Sequence, residues 1–124
     1  MAFKYITILV AVALISLVQI IVKARLNGPL GEVPSSASGL SIFIMGAFKD
    51  PYLWGAGVML LVSAFLWYFS ISRLSLGVAF AFASLAYPLV MIGSQLFLGE
   101  SFVAPQYIGC LMIVAGLCLI AYYS

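Results

Sequence analysis

There is no histidine in the 124 residues, and Asp and Glu together number three. Without histidine, the commonest proton shuttle and metal ligand at neutral pH is missing. Three scattered carboxylates provide neither a general acid–base pair nor an oxygen cage for a hard cation. The two cysteines, Cys110 and Cys118, lie inside one apolar run and flank no turn. They read as small buried hydrophobes, not as a disulfide framework or a metal site. No enzyme, cofactor or metal centre is expected. Basic residues are also few: five Lys and Arg, spread along the chain, form no basic face, so nucleic acid is not an expected partner.

What is present is apolar. Hydrophobic residues make up 66% of the chain and charged residues 6%, whereas soluble domains carry about a quarter charged residues. The mean hydropathy is +1.29. A globule of this composition cannot cover its surface with polar groups, so its solvent must be lipid. In hydrocarbon every backbone N–H and C=O needs an internal partner, which leaves helices or closed barrels. The apolar runs do not alternate and are too long for barrel strands. The expected fold is an all-α membrane bundle.

About 20 apolar residues cross the hydrocarbon core, and four runs qualify: roughly 5–22, 52–71, 76–98 and 103–122. Asp50-Pro51 offers an N-cap carboxylate with proline at the first helical position, Ser75 offers a second cap, and Pro105 falls in the first turn of the last run. Tyr52, Trp54, Tyr122 and Tyr123 suit interfacial aromatic belts. Lys4 before the first run imitates a secretory signal. The run is long for one, however, and no small-residue cleavage site precedes Lys23, so a retained span is expected.

One connection is long, residues 26–49. Its first half, from Asn27-Gly28-Pro29 to Gly39, is rich in turn formers and should be irregular. Its second half, Leu40 to Phe48, is apolar but too short to cross, which suggests an interfacial or re-entrant helix. Lys4 and Arg73 fall on one side of the membrane, against Lys23, Arg25 and Lys49 on the other, a bias too small to set orientation or exclude dual topology.

Polar side chains within the spans define two faces. Ser16, Gln19 and Lys23 share one face of the first span, and Ser84, Tyr87, Ser94 and Gln95 share one face of the third. Pro88 lacks an N–H, which should kink the third span and free the Ser84 carbonyl. Such faces either line a polar pathway or hydrogen-bond between helices at about 1 kcal/mol each. No Asp or Glu lies in mid-span, so the membrane carboxylate typical of proton-coupled carriers is absent. Gly109 and Gly116, seven apart on the last span, offer a close-approach surface for a second chain.

From Leu74 through Leu98-Gly99-Glu100, and again from Ile108 to Gly116, the chain resembles the short, four-span members of the drug/metabolite transporter superfamily. Small multidrug resistance exporters share the Gly-x-Ala core at Gly77 and the two glycines of the last helix. Their membrane glutamate and aromatic pair would fall at Ile15, Phe80 and Ala83, so their cation-binding box is missing here. The run Val78–Leu85 and the Leu-Gly-Glu ending are closer to EamA-like proteins, including subunits that flip aminoarabinose linked to undecaprenyl phosphate.

That resemblance implies a small-multidrug-resistance-like bundle in the inner (plasma) membrane. It also implies a transporter half, paired with itself or with a similar short chain, that flips a polyprenyl-phosphate-linked sugar or similar amphiphile. Ser16, Gln19, Ser84, Tyr87 and Gln95 would serve the sugar, and Lys23 or Arg25 the phosphate. The alternatives are an exporter of small hydrophobic or cationic compounds and a non-transporting subunit of a larger membrane complex.

Overall fold

The computed structural model describes residues 2–28 and 31–124, with the backbone alone for Ala2 and Lys4. Pro29 of the expected turn, and the side chain of Lys4, therefore lie outside the described residues. Among the described residues six helices follow one another: α1 (Ala2–Asn27), α2 (Ala37–Phe48), α3 (Pro51–Ile71), α4 (Leu76–Ala83), α5 (Ala86–Leu98) and α6 (Ala104–Tyr122). No strand occurs among the described residues. Four stretches of the described residues are long and apolar enough to cross a membrane: α1, α3, α4 continued by α5, and α6. The chain is a multi-pass membrane protein.

Local chemistry sets the helix ends. Asp50 Oδ1 accepts the Tyr52 N–H at 3.0 Å, with Pro51 in the first turn of α3. Ser75 Oγ accepts from Val78 N–H at the start of α4. Ser36 caps α2, which starts at Ala37, three residues before the expected start at Leu40. At the start of α6, Gln106 Oε1 accepts the Val103 N–H at 2.8 Å. Gly99 closes α5 with φ 70°, a left-handed conformation that glycine adopts without a Cβ penalty, and the Glu100 N–H returns to the Ser94 carbonyl. α1 continues past Val22 to Asn27 because the stems of Lys23 and Arg25 can run along the helix while their charges stay at its wet end.

The third span is broken between α4 and α5, at Ser84 and Leu85. Pro88 is the cause, although it lies beyond the break, in the first turn of α5 where its missing N–H is harmless. Its ring excludes the carbonyl four residues back, so the ladder gives way there. The expectation of a freed Ser84 carbonyl is corrected: the Tyr87 N–H takes it at 3.2 Å, tightening the turn. Ser84 Oγ turns back to the Ala81 carbonyl.

α1 is the element on which the others assemble, packing on α3, α5 and α4. Two α3 hydroxyls reach it: Ser63 Oγ donates to the Ala11 carbonyl at 2.8 Å, and Ser70 Oγ pairs with Thr7 Oγ1 at 2.8 Å. Ile8 and Val12 meet Leu74, Ala79, Phe82 and Leu117 in the core. Buried Gly93 lets α5 close on α1, since a Cβ there would collide with Ile20 Cδ1. α6 is peripheral and buries Leu117 alone. It is tied by Tyr5 Oη to Ser124 Oγ at 3.0 Å and by Gln95 to Tyr107.

Replacing Gly93 by leucine should destabilise the bundle by about 1–3 kcal/mol, the usual cost of overpacking. Unfolding of the purified protein in detergent measures this. An unchanged midpoint would show that α5 does not rest on α1 through this residue.

Candidate functional site

A groove of about 360 Å³ opens between α1, α3 and α4. α1 contributes Ala11, Val12 and Ile15, α3 contributes Ser63, Trp67 and Tyr68, and α4 contributes Phe80 and Ala83. No Asp, Glu, Lys or Arg lines it. Ser63 Oγ is already committed to Ala11, so the wall offers an apolar guest little polar competition. Trp67 and Phe80 form an edge-to-face pair with centroids 5.4 Å apart on the aromatic side of the groove. Ile15, Phe80 and Ala83 all face this one space.

Beyond the groove lining, α1 carries two residues of the predicted polar face. Gln19 lies four residues beyond Ile15 and Lys23 four beyond Gln19, so the three stack on one side of the helix at roughly 6 Å per step. Gln19 and Lys23 are both exposed, and Lys23 has no ion-pair partner among the described residues. Ser16 is buried and donates to its own Val12 carbonyl at 2.7 Å. Tyr87 is exposed. Gln95 donates to Tyr107 Oη, so it is turned to α6, and no hydrogen bond joins it to Gln19. Among the described residues no hydrogen bond joins the two predicted faces.

Arg25 is also engaged. Its Nε donates to Asp50 Oδ2 at 2.7 Å, and its guanidinium sits 4.6 Å from the Tyr52 ring centre. Asp50 is buried, and it both caps α3 and neutralises Arg25. Among the described side chains, Lys23 is therefore the uncommitted cation on this face of α1. Sequence reasoning assigned Asp50 to the cap and missed its pair. It also missed Ser63, Trp67 and Tyr68, although Ser63 and Ser70, seven apart, do mark one face of α3.

Searches for similar proteins return nothing: no family model, no curated protein and no solved structure matches the chain. The site must be interpreted from its own geometry.

Asp50→Ala removes the cap and strands Arg25, and should cost about 2 kcal/mol. Asp50→Asn keeps a capping oxygen and should cost less. Equal losses in detergent unfolding would mean that the ion pair, not the cap, carries the residue's contribution.

Proposed function

We propose that this protein is one half of a transporter that moves an amphiphile with a long apolar tail across the inner membrane, in the class of polyprenyl-phosphate-linked sugars. The observation that carries this reading is the groove between α1, α3 and α4, apolar and free of ionised side chains, with Gln19 and then Lys23 stacked beyond it on α1. An isoprenoid tail suits the groove, an amide suits sugar hydroxyls, and an exposed ammonium suits a phosphate. In this reading the four spans form a small-multidrug-resistance-like bundle, α2 lies along the interface, and no bond in the cargo is broken.

A second reading draws on the Trp67–Phe80 pair, whose faces suit flat hydrophobic or cationic compounds. Reconstituted vesicles distinguish the two. A fluorescent polyprenyl-phosphate sugar should flip with the parent protein, and Ala83→Trp, which fills the groove, should slow flipping at least tenfold. Lys23→Ala should weaken binding of the phosphate-bearing ligand by about 1.5–3 kcal/mol, while a lipophilic cation binds as well or better. Uptake of the cation with no flipping of the lipid would favour the exporter.

The active unit in this proposal contains a second copy or a similar short chain, packed on α6. Gly109 and Gly116 support this, because a Cβ on either would meet nothing within the chain. Replacing both with leucine should abolish crosslinked dimers in membranes. Undiminished crosslinking would move the contact elsewhere.

A further inference from the structure

A second groove, separate from the one above, lies between α2 and α3. It is an open depression of about 360 Å³ lined by Phe48 of α2 with Leu53, Trp54, Gly57 and Leu61 of α3. Its angle is held by two contacts: Trp54 Nε1 donates to the Phe48 carbonyl at 2.6 Å, and the two rings meet edge to face at 6.0 Å. That bond uses the one polar group of these five side chains, so the occupant must be apolar. Leu53 to Leu61 covers about 12 Å of helix axis, a depth suited to a chain and not to a compact molecule. Gly57 leaves the floor open, since a Cβ there would touch nothing. α2 itself buries no residue.

The nature of the occupant follows from charge at the mouth. Lys49 directly follows Phe48, is exposed, and has no ion-pair partner among the described residues. Its neighbour Asp50 is buried with one oxygen on Tyr52 N–H and the other on Arg25, so it leaves the Lys49 charge uncompensated. Glu32 precedes α2, whose twelve residues set about 18 Å between its ends. A cation beside an apolar slot matches an acyl chain joined to an anionic head.

We infer that the α2–α3 groove holds an acyl chain of an anionic membrane phospholipid, with the lipid phosphate against Lys49. The site uses neither the α1–α3–α4 groove nor Lys23, so it stands whether or not the transport reading does.

Trp54 is a built-in reporter. With Trp67→Phe as background, Trp54 becomes the single tryptophan, and its quenching can be followed in vesicles of bromine-labelled phosphatidylglycerol or phosphatidylcholine. The phosphatidylglycerol should associate about fivefold more strongly, the worth of one lysine beside an anionic head. Lys49→Gln should abolish that preference and Lys49→Arg should keep it. Gly57→Leu, which fills the slot, should reduce quenching by both lipids. Equal quenching by both lipids in the parent, or a preference that survives Lys49→Gln, would overturn the site.

Discussion

The bundle depends on the contact between α1 and α3. In lipid, apolar surface gains little by turning from solvent to protein, because the solvent is as apolar as leucine. What selects one helix pairing over another is close packing and the few hydrogen bonds that cross. Ser63 to Ala11 and Ser70 to Thr7 are such bonds, spaced seven residues apart on α3 so that both meet α1. Each contributes on the order of 0.6 kcal/mol in a membrane, but a mispaired register would leave a hydroxyl without its partner on the facing helix. With α1 and α3 joined, α4 and α5 close on the remaining face of α1, through Ala79 at one end and Gly93 at the other.

The break at Ser84–Leu85 connects this packing to the groove. Below it, α4 turns Ala79 and Phe82 into the core while Phe80 and Ala83 face the groove; above it, α5 lies against α1 at Ile20. The break gives α4 and α5 separate directions, so each keeps its own contact with α1. Pro88 thus acts less by exposing a carbonyl than by letting one span present two faces.

Span existence and several boundaries were legible because they follow from local rules: apolar length, Asp50-Pro51, Ser75, and glycine after Leu98. The interior of the site was less so. Ser16 looked like part of a polar face, yet a serine in a membrane helix can satisfy itself on the preceding turn, and this one does. Gln95 finds Tyr107 across a turn, and Arg25 finds Asp50 across a long connection; no periodicity within a single helix encodes either meeting. The groove was legible only in pieces. Ile15, Phe80 and Ala83 stood out as positions where a charged and aromatic box is absent, but that they share one space with Trp67 needed the fold.

Because α6 places a single side chain in the core, the order of assembly has a direction. The first three spans contain the α1–α3 bonds and nearly all the buried residues, and they emerge from the ribosome before α6 does. They can settle against one another while the last span is still being made. α6 then docks late, held by Tyr5–Ser124 at one end and Gln95–Tyr107 at the other. A latecomer held by two end clasps, by Cys110 on Met91 and by one core side chain is the helix whose lateral neighbours can change with least disturbance to the scaffold already built.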